Sequence, residues 1–397
     1  MCVDLQFVSS EQKMDAVFQR PSTGSNATAS AAPAANLTDP MELFLGLQLL
    51  LSYRPLLLPL YCLLVAVACV GNAVLLACIT ADRKLHNATN FFIGNLAAGD
   101  LLMCLCCVPL TASYAFEPRG WLFGRALCHL VPLLQTATVF VSVLSLTAIA
   151  VDRYVVVVHP VRRRISLRGC GGVAAGLWLL SLLLAAPPSL RTSFVDLRRR
   201  GLDLVVCEEF WQDWGRLRLL YSCFVLTASY LLPLLAVSVA YCGITSRLRQ
   251  RRLPGAPSHS LQRWNRKRKK TFSLLVLAVL AFAFCWLPLQ VLNLLLDVDP
   301  DFHLVGKRYV NLLQVCCHLL AMSSACFNPF IYASLHSKLR VRLRDYLRRR
   351  GRRRRGGGLL SQHASHQQHN HTCLSTVCEQ PGSQDADGQQ ASADNSF

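Results

Sequence analysis

Charged residues are scarce in this chain, making up 16% of its 397 residues, whereas 53% are hydrophobic. A soluble chain of this length could form two or three domains, but such domains average about 25% charged residues. The mean hydropathy is positive, at +0.35. This balance argues against soluble domains and is typical of a membrane protein.

Six long runs lack any charged residue, and a seventh is broken only by Asp100. Each run exceeds the roughly 20 residues with which a helix crosses about 30 Å of hydrocarbon. The sequence therefore predicts an all-α membrane protein, with a seven-transmembrane helix bundle over residues 55–335. The runs are 55–81, 87–116, 129–151, 169–190, 219–246, 271–296 and 309–335.

Acidic residues are few, 22 against 41 basic ones, and the net charge is +19. The links after the first, third and fifth runs hold 17 basic residues, whereas those after the second, fourth and sixth hold 10. Cytoplasmic flanks carry such an excess, so we expect a plasma-membrane protein with an extracellular N-terminus. Because the charge lies beside apolar runs, anionic membrane lipid is the expected partner and nucleic acid is not.

The segment before the first run lacks a short apolar stretch with a cleavage site. We therefore expect no removable signal peptide, and the first run would act as the insertion signal. Residues 1–54 are predicted to form a disordered extracellular segment. Within it, Asn26 and Asn36 begin sequons that are candidate glycosylation sites.

The segment after the last run changes character twice. Over residues 336–350, Leu339, Leu343 and Leu347 share one helical face and cations share the other. This pattern predicts a short amphipathic eighth helix lying on the membrane. Residues 351–397, rich in Gly, Ser, Gln and His after an arginine run, are predicted to form a disordered cytoplasmic tail.

The 18 cysteines lack the spacing of a zinc site or of a dense disulfide scaffold, and most lie inside apolar runs. Cys128 and Cys207 differ from these because both fall at the predicted outer ends of runs. The extracellular space is oxidising, so we expect these two residues to be bonded.

Features of two other classes of membrane protein are missing. A transporter would usually show internal repeats and paired interrupted helices, and neither is found. An enzyme would need a convergent nucleophile, base or metal set within the runs. His318 is the only histidine deep enough to consider, and the sequence suggests no partner for it. We therefore expect a protein that is not an enzyme.

Each run also carries its own polar, aromatic or proline motif. In chain order these are Gly71-Asn72, Asn95 with Asp100, Asp152-Arg153-Tyr154, Trp178, Pro233 with Tyr241, Phe282 with Trp286 and Pro288, and Asn328-Pro329 with Tyr332. Together, and in this order, they resemble the motifs of the rhodopsin-like (class A) G-protein-coupled receptors. The resemblance extends from about residue 55 to about residue 347.

The resemblance implies an activation switch at the cytoplasmic surface. Arg153, released from Asp152 on activation, would contact a heterotrimeric G protein, and arrestin and receptor kinases would be further partners. A purely structural ion pair at a helix end is the alternative. Prolines at 288 and 329 remove backbone donors and create kinks that can pivot. The implied switch residues are Asp152, Arg153, Tyr154, Tyr241, Phe282, Pro288, Asn328, Pro329 and Tyr332.

Asp100 is an ionisable group within the predicted hydrocarbon layer, so it requires polar partners. Candidate partners are Asn72, Ser142, Ser324 and Asn328. In the family such a cluster binds an allosteric sodium ion, and no other metal or cofactor is expected. A neutral, hydrogen-bonded Asp100 is the structural alternative.

The predicted outer half of the bundle lacks the residues that bind the ligands of two receptor classes. Gln135 stands where amine receptors of the family carry an aspartate, and Met322 stands where opsins carry a lysine. Acids cluster instead at the rim, at Glu208, Glu209 and Asp297. They could hold a ligand cation by charge-assisted hydrogen bonds, although exposed acids are usually only solvated.

Several local strings, among them Cys207-Glu-Glu-Phe-Trp, narrow the resemblance to the prolactin-releasing peptide receptors and their vertebrate paralogues. This implies an amidated peptide ligand ending in Arg-Phe-amide, of the RFamide type. Its arginine would meet the acids, and its amide would approach uncharged side chains. The alternative is a neuropeptide Y-type or other peptide receptor of the class. The implied ligand-binding residues are Glu208, Glu209, Asp297, Gln135, Gln290 and Trp286.

Overall fold

The computed structural model describes residues 39–159, 165–198, 201, 203–211, 215–250, 259–299 and 304–335. The predicted eighth helix at 336–350, the tail at 351–397 and the sequons at Asn26 and Asn36 lie outside these residues. They therefore stay predictions.

Seven helices of the described residues are long and apolar enough to cross a membrane. This confirms the predicted seven-transmembrane helix bundle. We number the helices spans 1 to 7. They are Arg54–Ala81, Ala88–Phe116, Gly124–Val158, Leu167–Arg191, Arg216–Arg247, Ser273–Val298 and Val310–Tyr332.

Three spans change helical geometry along their length, and one belongs to a longer helix. Span 2 contains a π-helical turn at Met103–Cys107, and span 5 contains one at Thr227–Leu231. Span 7 consists of the helix Val310–Met322 and most of the helix Ser324–Leu335. Span 6 is part of the helix His259–Val298.

Side-chain caps start two of the spans. Asn87 accepts a hydrogen bond from the backbone N–H of Asn90 at 3.0 Å, and Ser166 accepts one from Gly169 at 3.2 Å. Such caps satisfy backbone donors that the first helical turn leaves unpaired. Spans 2 and 4 therefore begin where a short polar side chain precedes an apolar run.

The bundle packs around span 3. In an 18-residue apolar window of span 3, 72% of residues are buried, against 22% in span 4. The Asn95 amide joins three spans, because it donates to Ser145 Oγ at 2.9 Å and accepts from Trp178 Nε1 at 3.0 Å. Span 3 is thus the element against which the neighbouring spans position their polar side chains.

The segment before span 1 differs from the prediction. Residues 1–54 were expected to lack regular structure, whereas Asp39–Ser52 is a helix. Its leucine-rich part is too short to cross a membrane, but Leu50 is fully buried. A Cβ atom at Gly46 would lie 2.9 Å from the Lys307 carbonyl oxygen, so the helix packs closely against the chain before span 7.

A β-hairpin follows span 4. Strand β1 (Thr192–Asp196) pairs antiparallel with β2 (Val205–Glu209), with Phe194 opposite Cys207 and Thr192 opposite Glu209. These strands lie in a link for which the sequence predicted no regular structure. The hairpin fixes the position of two of the predicted ligand-binding acids.

Candidate functional site

A disulfide joins the hairpin to span 3. Cys207 of β2 is bonded to Cys128, with their Cα atoms 5.8 Å apart. This confirms the predicted disulfide. We call this end of the bundle the disulfide end, and the opposite end, where Asp152 lies, the Asp152 end.

The link between spans 2 and 3 also holds β2 in place. The N–H of Trp121 donates to the Val205 carbonyl at 2.8 Å, and the N–H of Val205 donates to the Arg119 carbonyl at 3.0 Å. Gly120 between them has φ +77°, and a Cβ atom there would lie 2.1 Å from the Val205 oxygen. Only glycine permits this close approach, so the contact between the link and β2 requires a glycine at position 120.

The two acids of β2 have different surroundings. Glu208 is buried and accepts a long hydrogen bond, 3.5 Å, from the hydroxyl of Tyr114. Glu209 accepts a hydrogen bond from Trp211 Nε1 at 3.2 Å. The Trp211 ring is itself held, because it stacks on Tyr221 at 6.3 Å between ring centroids. Both carboxylates are therefore oriented by aromatic side chains.

The third predicted acid, Asp297, is not an open rim residue. Its side chain is only 2% exposed, and Arg218 Nε of span 5 lies 2.6 Å from its Oδ1 atom. Ser222 donates a hydrogen bond to Oδ2. The helix of span 6 continues to Val298, so Asp297 lies in its last turn and against span 5. Its role in ligand binding stays a prediction.

Deeper in the bundle, Gln135 belongs to a hydrogen-bonded chain across four spans. The Thr111 hydroxyl donates to Gln135 Oε1 at 3.2 Å, and Gln135 Nε2 lies 3.0 Å from His318 Nε2. His318 Nδ1 lies 2.9 Å from the Tyr61 hydroxyl, which also reaches the Val315 carbonyl at 3.2 Å. The sequence indicated no partner for His318, but the structure gives it two.

One assignment of protons satisfies every group in this chain. The amide nitrogen of Gln135 can only donate, so His318 Nε2 accepts. The neutral imidazole then carries its proton on Nδ1 and donates it to Tyr61. The Tyr61 hydroxyl is left to donate to the Val315 carbonyl. The chain therefore runs in one direction and needs no charged member.

Replacing His318 with leucine is expected to lower the free energy of unfolding by about 1–3 kcal/mol, because the buried amide of Gln135 loses its acceptor. The double replacement of Gln135 and His318 by leucine removes both partners and is expected to recover part of that loss. Thermal unfolding of the purified protein checks this. A melting temperature unchanged by His318→Leu would contradict the network.

Trp286 is anchored at the same depth. Its Nε1 donates to Ser324 Oγ at 3.1 Å, and its ring stacks on Phe282 with 5.7 Å between centroids. Gln290 is also buried and lies one helical turn nearer the disulfide end. The structure thus places two further predicted ligand-binding residues inside the bundle.

Sequence reasoning missed Gln314, which lies one turn from His318 on span 7. Gln314 is buried, and its Oε1 atom has no hydrogen-bond partner among the described residues. A buried acceptor without a donor is costly, so this atom is a candidate contact for a ligand. The signal in the sequence was the pair of polar residues at positions i and i+4 of an apolar run.

The structure brings together only part of the predicted sodium site. Asp100 accepts a hydrogen bond from Asn328 Nδ2 at 2.8 Å and another from the side chain of Ser142. Asn72 instead donates to two backbone carbonyls, and Ser324 accepts from the indole described above. The oxygen atoms of Asp100 and Ser142 are ligands that suit a hard cation such as sodium. Asn328 turns its amide nitrogen toward Asp100, so its amide group would have to rotate before its oxygen could bind the ion. The sodium ion stays a prediction.

At the Asp152 end, the predicted ion pair is present. Arg153 Nη2 lies 3.0 Å from Asp152 Oδ2, with the two side chains 27% and 15% exposed. Thr89 of span 2 donates to the same carboxylate oxygen. The carboxylate therefore links span 2 to the arginine of span 3.

The tyrosines of the predicted switch have different surroundings in the structure. Tyr154 packs on Gly243 of span 5, where a Cβ atom would lie 2.5 Å from its ring. Tyr241 is 42% exposed, whereas Tyr332 is buried and its hydroxyl has no hydrogen-bond partner among the described residues. The roles of these tyrosines in activation stay predictions.

The chain is similar in sequence to known receptors. Residues 71–332 match the family described as 7 transmembrane receptor (rhodopsin family). The dog substance-K receptor is 37% identical over 281 residues, which cover 70% of this chain and 72% of the relative. The Drosophila melanogaster neuropeptide F receptor is 35% identical over 308 residues, which cover 74% and 62%. The mouse neuropeptide Y receptor type 2 is 32% identical over 306 residues, which cover 76% and 78%.

These comparisons confirm the rhodopsin-like class, a family of receptors and not of enzymes in general, and they agree with the helical bundle and its disulfide. The relatives carry the names of substance-K, neuropeptide F and neuropeptide Y receptors, so the narrower resemblance to the prolactin-releasing peptide receptors stays a prediction. The family match covers spans 2 to 7 and the last 11 of the 28 residues of span 1. The chain belongs to the rhodopsin-like family of seven-transmembrane receptors.

Proposed function

We propose that this protein is a plasma-membrane receptor for a neuropeptide, with its disulfide end outside the cell and its Asp152 end in the cytoplasm. Two observations support this orientation. A disulfide suits an oxidising compartment, and the basic excess lies in the links at the Asp152 end. Binding of the peptide would be passed to a heterotrimeric G protein, with arrestin and receptor kinases as further cytoplasmic partners.

The relatives support a peptide ligand through their names, which include substance K, neuropeptide F and neuropeptide Y. We propose a ligand of this general kind, bound between the hairpin and the buried polar residues of spans 3, 6 and 7. A peptide ending in Arg-Phe-amide is the second candidate. It is favoured by the acids Glu209 and Asp297 at the disulfide end, which would meet its arginine.

One observation carries the proposal that the ligand has an amidated C-terminus. Gln135 and Gln290 are buried and uncharged, and Gln314 Oε1 has no donor among the described residues. A terminal carboxamide brings N–H donors for such an acceptor, whereas a terminal carboxylate brings only acceptors and a charge to be buried. Neutral amide side chains therefore favour an amide over an acid.

The test is calcium and cAMP signalling in cells that express the chain, with surface expression measured separately. Neuropeptide Y, substance K and a synthetic peptide ending in Arg-Phe-amide are each applied as the amide and as the free acid. For the active peptide we expect the amide to be about 10–100-fold more potent. Gln314→Leu is expected to shrink that ratio, and Leu313→Ala, on the exposed face of span 7, is the control.

Equal potency of amide and acid would contradict the amidated terminus. Silence toward all three peptides from a receptor present at the surface would contradict the proposed ligand class while leaving the family assignment intact.

A further inference from the structure

The helix Asp39–Ser52, which we call the leading helix, continues into span 1 without a loop. Only Tyr53 separates the two helices, and its φ of −90° and ψ of 0° keep the backbone right-handed. The Tyr53 N–H donates to the Leu50 carbonyl at 3.1 Å, and the Leu57 N–H donates to the Tyr53 carbonyl at 3.0 Å. Backbone hydrogen bonds therefore run through the junction, and the direction of span 1 determines where the leading helix lies.

One buried face extends from the leading helix into span 1. Its residues follow one another at intervals of three, four or seven, which places them on the same side of a continuous helix. They include Gly46, Leu50, Leu57, Tyr61, Leu64 and Ala68. The leading helix therefore turns the same side toward the protein as span 1 does.

The two halves of span 7 pack against different parts of this continuous helix. We call Val310–Met322 the first half, and the second half begins at Ser324. The second half packs on span 1, where Asn72 Nδ2 donates to the Ala325 carbonyl at 3.0 Å. That carbonyl lacks its helical donor because Pro329 has no N–H. The second half is therefore bonded directly to span 1.

The first half of span 7 packs on the leading helix instead. Among the described residues, its main packing partners are span 6 and the leading helix. A Cβ atom at Gly46 would lie 2.9 Å from the Lys307 carbonyl oxygen and 3.3 Å from that of Arg308, just before the first half begins. Span 1 itself reaches the first half through the Tyr61 side chain, whose hydroxyl donates to the Val315 carbonyl at 3.2 Å. The leading helix thus gives the first half the close backbone contact that span 1 gives the second.

We infer that the leading helix is a clamp on the first half of span 7, and that it thereby sets the position of Gln314 and His318 for the ligand. The helix of span 7 breaks at Ser323, so holding the second half does not by itself hold the first. The clamp follows from the packing, whereas its effect on ligand binding rests on the proposed function as a peptide receptor. The leading helix is a positioning element that acts through span 7.

Two substitutions in the full-length protein loosen the clamp in opposite ways. Gly46→Leu adds a side chain where the Lys307 carbonyl leaves no room, and Leu50→Ala removes packing from the same face. Gln48→Leu, at an exposed position between them, is the matched control. We expect both variants, and not the control, to weaken binding of the active peptide by about 10-fold while maximal signalling is retained. Gly46→Ala should fall between the wild type and Gly46→Leu.

Hydrogen exchange of the purified receptor distinguishes a clamp from a general loss of stability. Backbone amides of residues 304–322 should exchange about 5-fold faster in Gly46→Leu and Leu50→Ala than in the wild type, whereas those of residues 324–335 should not change. Unchanged exchange in the first half would overturn the inference. An equal increase in both halves would overturn it as well, because the leading helix would then stabilise the whole bundle.

The combined results separate the clamp from the proposed function. Faster exchange in the first half together with unchanged peptide affinity would overturn the positioning role, since Gln314 and His318 would have moved without consequence for the ligand. If no tested peptide binds the wild type, the exchange measurement alone decides whether the clamp exists. The missing binding then counts against the proposed peptide function.

Discussion

Replacing Cys207 with serine is expected to abolish high-affinity peptide binding while the seven-helix bundle remains folded. The Cys128–Cys207 bond closes a sequence separation of 79 residues, for which the chain-entropy description gives about 4.5 kcal/mol of stabilisation. Without the bond, β2 keeps its strand pairing, the backbone contacts on either side of Gly120 and its hydrogen bonds to Tyr114, but it loses its covalent link to span 3. The carboxylates of Glu208 and Glu209 then lose their fixed positions.

The measurement is radioligand binding of the active peptide on membranes, with surface expression and thermal unfolding measured in parallel. Cys106→Ser is the matched control, because Cys106 is an exposed free cysteine of span 2. The double variant Cys128→Ser/Cys207→Ser should behave like the single one, since either change breaks the bond. Retained affinity in Cys207→Ser would show that the disulfide does not organise the site.

The seven-helix bundle could be predicted because each spanning helix follows from the composition of one continuous stretch of the chain. A run such as 55–81 contains no charge and is long enough to cross the hydrocarbon, so its helix follows from the sequence alone. The disulfide could be predicted for a similar reason, since only Cys128 and Cys207 fall at the predicted outer ends of runs. The helix at Asp39–Ser52 was missed because its burial depends on residues near Lys307, far along the chain.

The site was predicted less well because its contacts join distant parts of the chain. His318 is separated by 183 residues from Gln135 and by 257 from Tyr61, so no pattern in the sequence pairs them. Asp297 was predicted as a ligand-binding acid at the rim, but the sequence did not indicate its partner Arg218, which lies in another span. The residue types pointed to a polar site, while only the packing of the spans shows which charge already neutralises which acid.

The ion pair at the Asp152 end predicts opposite effects for its two members. Asp152→Asn removes the charge that holds Arg153 at 3.0 Å, and it is expected to raise ligand-independent signalling. A partly exposed pair contributes about 1 kcal/mol, which corresponds to a shift of about 5-fold in a two-state equilibrium. Thr89→Val weakens the same carboxylate contact and should produce a smaller increase.

Arg153→Ala is expected to abolish peptide-stimulated signalling while leaving peptide affinity within about 3-fold, because the guanidinium that would contact the G protein is gone and the ligand site lies at the other end of the bundle. Arg168→Ala, at an exposed arginine near the start of span 4, is the control.

Asp152→Asn and Arg153→Ala are compared by measuring nucleotide exchange on purified G protein, so that differences in receptor expression do not affect the result. If Asp152→Asn leaves basal exchange unchanged while Arg153→Ala still abolishes stimulation, the arginine contacts the G protein but the ion pair does not restrain it. If neither variant changes exchange, the pair only fixes the end of span 3, because an ion pair that does not differ between the two states cannot shift their populations.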